Sequence, residues 1–205
     1  MSLDYPITVV SNVTFALALR CADPDVVSYA PIAAIAKSAP VQITTASAHN
    51  IPDGWPVWVE SCVGMVEINN PRPTAGLNND VNPPFIASVP SASAVVINSL
   101  NSTLWTTYRG SGQLAWQTPR DITAHTATLV VLDGKGVELF RVDSGVPSAN
   151  GEVTVEPASY TVGMRIDVAA QTLLNDTAMT YQLIMTDVLD DNRTYLLIGG
   201  ALRKA

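Results

Sequence analysis

The side chains in this sequence best suited to acid–base, nucleophilic or metal chemistry are few and widely spaced. His49 and His125 are the only histidines, and Cys21 and Cys62 the only cysteines. A Ser-His-Asp arrangement needs three groups in contact, and no GxSxG nucleophile elbow accompanies either histidine. His49 stands before Asn50-Ile51-Pro52-Asp53-Gly54 and reads as a hydrogen-bonding turn residue rather than a catalytic base. Neither cysteine belongs to a CxxC or Cys/His metal spacing. They are expected to be buried free thiols packing as small hydrophobes. A disulfide between them would have to join two different modules.

Asp187, Asp190 and Asp191 fall near one hairpin and could hold a cation with backbone carbonyls. Calcium requires six to eight oxygen ligands and the EF-hand spacing is missing, so a solvated turn is the preferred reading. Glycosidase carboxylates converge from distant strands, and spacing says nothing about them; the acids here sit mostly in turns or at outward strand positions. The GSG at Gly110–Gly112 and the GKG at Gly134–Gly136 lack the GxxxxGK[ST] context of a phosphate loop and read as hairpin turns. Trp55, Trp58, Trp105 and Trp116 could form a sugar-stacking platform or fill a small core. Trp55 and Trp58 have opposite strand parity, so at most one is expected to point inward and the other to be exposed. No catalytic, cofactor-binding or metal residue is assigned.

The elements that would position these side chains are short strands. In Val13–Arg20 the large apolar residues take every second place, and the pattern returns at Met164–Val168, Tyr181–Met185 and Val153–Val155. Asp53-Gly54, Asp133-Gly134, Asn150-Gly151 and Asp190-Asp191 punctuate them as turns. Such spacing predicts a sandwich or barrel. Pro31–Ala39 has helix-forming residues and is expected to make one or two helical turns before Pro40; Ala169–Leu174 is expected to be a short turn. Residues 71–84 read as a long loop.

The chain has 205 residues, with 14% charged, 47% hydrophobic and a net charge of -7. Its mean hydropathy is +0.22 and its pI about 4.6. Ordinary soluble domains carry roughly 25% charged residues. Part of the apolar surface is therefore expected to face partner subunits, the alternative being a Thr/Ser/Asn-rich β surface that needs few charges. No Lys/Arg cluster supplies the basic footprint that phosphate binding requires, so nucleic acid is not an expected partner. No segment approaches 18 consecutive apolar residues, so no membrane span is expected. MSLDYPITVV lacks a basic region followed by an apolar stretch, which predicts assembly in a cytoplasm.

Between Pro40 and Pro119 the text becomes rich in Pro, Asn, Ser and Thr and holds all four tryptophans, as one module inserted in another would. The outer words are DYPITVVSNVTFALALRC (Asp4–Cys21), PRDITAHTATLVVLD (Pro119–Asp133), GEVTVEPASYT (Gly151–Thr161) and MTYQLIMTDVLDDNRTYLLIGGALRK (Met179–Lys204). In order and spacing they resemble a family of tail-associated phage proteins with an immunoglobulin-like β-sandwich, found in upper baseplate, fibre-attachment and collar proteins. Ser11-Asn12 stands where that family commonly has a Gly-containing turn. The middle words, VQITTASAHNIPDGWPVWVESCVGMVEINN (Val41–Asn70) and VINSLNSTLWTTYRGSGQL (Val96–Leu114), resemble a small β-barrel named after the first catalytic-cysteine half-domain of ubiquitin-activating enzymes. His49, Asp53, Gly54, Gly64, Asn69, Tyr108, Gly110 and Gly112 carry that resemblance, which implies binding or spacing and not ubiquitin chemistry.

Together these readings predict an all-β chain. Residues 1–39 plus 119–205 would form an immunoglobulin-like sandwich and 40–118 an inserted small β-barrel. The resemblance implies a structural virion protein of a tailed bacteriophage, from the neck or collar, the tail or a fibre attachment. It would act without cofactor or catalysis, by binding copies of itself and other phage structural proteins of the connector, tail, fibre or capsid. The alternatives are a module binding host-surface polysaccharide, a capsid decoration protein, or an enzyme such as a small depolymerase or peptidase.

Overall fold

A computed structural model describes residues 3–4, 7–10, 12–72, 82–174, 179–190 and 193–204. The chain is all-β, and among these residues helix is confined to 3-10 turns at Val66–Ile68, Pro157–Ser159 and Val168–Thr172. In chain order the strands are β1 (Leu3–Asp4), β2 (Ile7–Val9), β3 (Phe15–Arg20), β4 (Ala22–Ala36), β5 (Val41–Thr45), β6 (Pro56–Glu60), β7 (Phe85–Ser91) and β8 (Ala94–Ile97). There follow β9 (Gln113–Pro119), β10 (His125–Leu132), β11 (Glu138–Asp143), β12 (Gly151–Glu156), β13 (Thr161–Ile166), β14 (Met179–Asp187) and β15 (Arg193–Lys204). Two compact units result, Met1–Cys21 with Arg120–Ala205, and Ala22–Pro119.

The first unit has two sheets. One runs β1-β15-β14-β10-β11, with β2 also on β15; the other runs β12-β13-β3. Its alternating sequences explain the layers. On β3, Phe15, Leu17 and Leu19 pack on the core while Ala16, Ala18 and Arg20 are exposed. Across from them on β13, Val162, Met164 and Ile166 are buried, and Leu129, Val131, Tyr181, Leu183 and Met185 of the other sheet belong to the same core. Reading β3, β10, β11, β12, β13, β14 and β15 as successive strands B, C, C′, D, E, F and G, the split between sheets is that of an immunoglobulin-type sandwich. The N-terminal strands β1 and β2 add parallel to β15, not to the edge of β3. Gln171, 4% exposed, holds the turn that carries the chain from β2 to β3. Its Oε1 accepts from Asn12 N at 2.8 Å, and its Nε2 donates to the carbonyls of Val10 and Val13 at 3.2 and 2.8 Å. This Asn12, at φ 61°, stands where a glycine turn was expected and supplies the positive φ itself.

In the second unit β4-β5-β8-β7-β6-β9 form a ladder that closes where β9 pairs with β4. The 15-residue β4 serves two neighbours, β9 along its first half and β5 along its second, with register shifts between Ala22 and Val27 and between Ile32 and Ala34. Ile43, Val57, Val59, Val95, Ile97, Leu114 and Trp55 are buried there.

Two expectations need correction. Pro31–Ala39 is not helical: β4 runs through Ala36, burying Ile32 and Ile35, because pairing to β5 and β9 outweighs alanine's intrinsic preference. For the same reason the first unit ends at Cys21, not at residue 39, and residues 22–39 belong with the second. The return lies between Pro119 and Arg120. The loop expected at 71–84 lies mostly outside the described residues.

Candidate interaction surfaces

The residues carrying the barrel resemblance are all placed in scaffold roles. Asp53 Oδ1 accepts from Val89 N at 2.9 Å, and Gly54 (φ 71°) donates its N–H to Ala87 O. Asn69 acts as a surrogate strand, accepting from Cys62 N at 2.8 Å and donating to Cys62 O at 3.1 Å. Tyr108 Oη lies 2.9 Å from Ile32 O and 2.6 Å from Ser111 O. Gly110 (φ 117°) and Gly112 (φ 94°) are not a hairpin turn but bring the 98–112 segment against the 61–70 segment. Val63 N donates to Gly110 O at 3.1 Å and Arg109 N to Val63 O at 2.8 Å. A Cβ on Gly112 would lie 2.6 Å from Cys62 Sγ.

These ties give the barrel two loops that brace each other. Thr106 donates from both N and Oγ1 to Glu67 Oε1 at 2.9 Å, which holds the Glu67 carboxyl below its ordinary pKa. Ser102, fully buried, accepts from Ser38 N and contacts Ala36 O, each at 3.0 Å. Asn101 Oδ1 accepts from Thr103 N and Oγ1. On this rigid base Leu104 is 95% exposed, with Val63 and Val66 exposed beside the cross-ties. In the first unit the β14–β15 turn presents a similar knob. Asp187 Oδ1 accepts from Leu189 N and Asp190 N at 3.0 and 3.3 Å, and Leu189 is 84% exposed. An apolar side chain held out by a hydrogen-bonded turn fits a partner's pocket at reduced ordering cost.

The sequence's chemical candidates are not gathered. His125 Nε2 lies 3.6 Å from Asp187 Oδ2, beyond hydrogen-bonding distance, and Asp190 pairs with Arg193 at 3.7 Å. Asp191 lies outside the described residues. Among the described residues no three His, Cys, Asp or Glu side chains group as a metal site. Gly134–Gly136 make the β10–β11 turn, where Asp133 Oδ1 accepts from Lys135 N and Val137 N at 2.8 Å. Cys21 and Cys62 are buried and free, one in each unit. Burial pushes the Cys62 thiol up to about 11, which leaves little thiolate at neutral pH. The exposed tryptophan expected from strand parity is also corrected. Trp55, Trp58 and Trp116 are all buried, and only Trp105 is half-exposed. Trp55 precedes β6, and Val57, Trp58 and Val59 are buried in succession because chain covers both faces of that strand.

His49 is a buried turn residue. Its Nδ1 accepts from Ile51 N at 3.0 Å, while Nε2 has no hydrogen bond within range. Burial lowers its pKa below 6.5, offset only in part by the Ala94 carbonyl. The unfolded chain therefore takes up this proton first as pH falls, and stability present above pH 6.5 is lost below it. The expected slope is at most about 1.4 kcal/mol per pH unit. Denaturation midpoints between about pH 7.5 and pH 5.5 should fall in the natural chain. They should fall less in His49→Gln; equal slopes would contradict this assignment.

No family model matches the chain, and no curated protein is a significant match to it.

Proposed function

We propose that this chain is a structural component of a tailed bacteriophage particle, from the neck or collar, the tail or a fibre attachment. It works by self-assembly and protein binding, without catalysis. The observation that carries the assembly half of this reading is the pair of apolar knobs, Leu104 and Leu189, held out by braced turns in a chain with only 14% charged residues. The phage half rests on the ordered words of both modules. A polysaccharide-binding role draws on Trp105 alone, since the other three indoles are buried. Antibody or tag labelling of intact purified particles should place the protein at one fixed position along the neck or tail. Finding it in infected cells but missing from purified particles would end the reading.

A further inference from the structure

We infer that the free edge of β3 pairs antiparallel with β3 of a second copy, joining two three-stranded sheets into one continuous sheet across a two-fold axis. This gives the assembly reading a specific surface, and rests on that reading for the choice of another copy as partner.

The first observation is an unguarded edge. Among the described residues no strand pairs with β3 on the side away from β13. Natural edges are blunted by shortness, charge, proline or bulges. The edge strand β11 carries Glu138 and Arg141 beside a register shift, β12 carries Glu152 and Glu156, and β1 and β2 have two and three residues. By contrast β3 spans six residues with an unbroken register on β13, no proline, and alanines at two of its three exposed positions.

The second observation is a core left open along that edge. Val162, Met164 and Ile166 are 0–2% exposed, but their partners Leu19, Leu17 and Phe15 are only partly buried. The strand that would close this row in a more complete sheet is absent because β1 and β2 pair on the opposite sheet with β15.

The third observation is self-complementarity. Cys21 N donates to Tyr160 O on the β13 side. Alternation then turns the N–H and C=O groups of Ala16, Ala18 and Arg20 toward the free side. An antiparallel copy centred on Ala18 sets Ala18 opposite its own counterpart and Ala16 opposite the other Arg20, giving about six backbone hydrogen bonds. No like charges then face each other directly. The two arginines lie about 13 Å apart along the strands, beyond a Debye length of about 8 Å at physiological salt. Each arginine faces an alanine, and the half-buried leucines gain apolar neighbours.

Sedimentation of the full chain should show a concentration-dependent dimer of twice 21.7 kDa. Ala18→Lys and Ala18→Glu, at an exposed site, each set like charges face to face at the axis. Each should weaken the dimer at least tenfold while keeping the natural circular dichroism, and an equimolar mixture of the two should form a one-to-one heterodimer. A natural chain still monomeric at about 1 mM, a dimer indifferent to both substitutions, or a mixture that stays monomeric would each overturn the pairing. A dimer indifferent to Ala18 leaves assembly through other surfaces standing. Absence from particles removes the assembly reading but not a dimer that obeys the charge swap.

Discussion

Trp58→Ala is expected to destabilise the 22–119 unit by about 3–5 kcal/mol, the cost of emptying a large aromatic site in a packed interior. Trp58 is 4% exposed, and its Nε1 donates to Asn82 O at 3.1 Å, so truncation also strips that carbonyl of a partner. All four tryptophans lie between residues 22 and 119, so fluorescence excited selectively at tryptophan follows this unit and not the other. A urea titration read by fluorescence should show an early transition in the variant, while a far-ultraviolet signal retains a component at the natural midpoint. An unchanged fluorescence midpoint would place Trp58 on the surface and reopen a sugar-stacking role. By the same logic, lost glycan binding in this variant would report unfolding rather than a missing contact.

Gly64→Ala should cost about 2–5 kcal/mol, the sum of a left-handed backbone penalty and an overpacking penalty. Gly64 sits at φ 88°, where an added Cβ would strike the Thr107 carbonyl oxygen and approach Arg109 N to 2.8 Å. Both obstacles are backbone, so no side-chain rotation relieves them. Gly110 provides the control, having a φ of 117° but nothing within 4 Å of an added Cβ. Gly110→Ala should pay the backbone penalty alone, about 1–2 kcal/mol. The same fluorescence titration reads both variants. Equal losses at the two sites would mean that the 61–70 and 98–112 segments are not pressed together at Gly64.

Where one face of a strand is buried and the other wet, the sequence announces it. Phe15-Ala16-Leu17-Ala18-Leu19-Arg20 alternates without interruption and is β3; Tyr181–Met185 and Val153–Val155 read equally well as β14 and β12. Strand β6 hides its nature because Val57, Trp58 and Val59 are all buried, so parity could not say which indole is covered. Strand β4 hides it differently. Its register shifts break the period of two, and its alanines invite a helical reading of Pro31–Ala39. That one misreading also displaced the first module boundary from residue 21 to residue 39. The surfaces were less legible still. Leu104 and Leu189 look like ordinary apolar residues in the sequence, and only the structure shows them exposed beside hydrogen-bonded turns. The open edge of β3 depends on where β1 and β2 pair, a choice made some 190 residues downstream and invisible in local pattern.

That distant choice also orders events during synthesis. Ile7 meets Leu202, and β3 meets a strand that starts at Thr161, whereas the β4 to β9 ladder is complete once Pro119 has been made. On a translating ribosome the inserted unit thus closes first, while the opening strands wait, unpaired and apolar, for the last strand to emerge. A stalled or clipped chain lacking β15 would leave Ile7 and Val9 without the strand that pairs with them, apolar and open to chaperones and proteases.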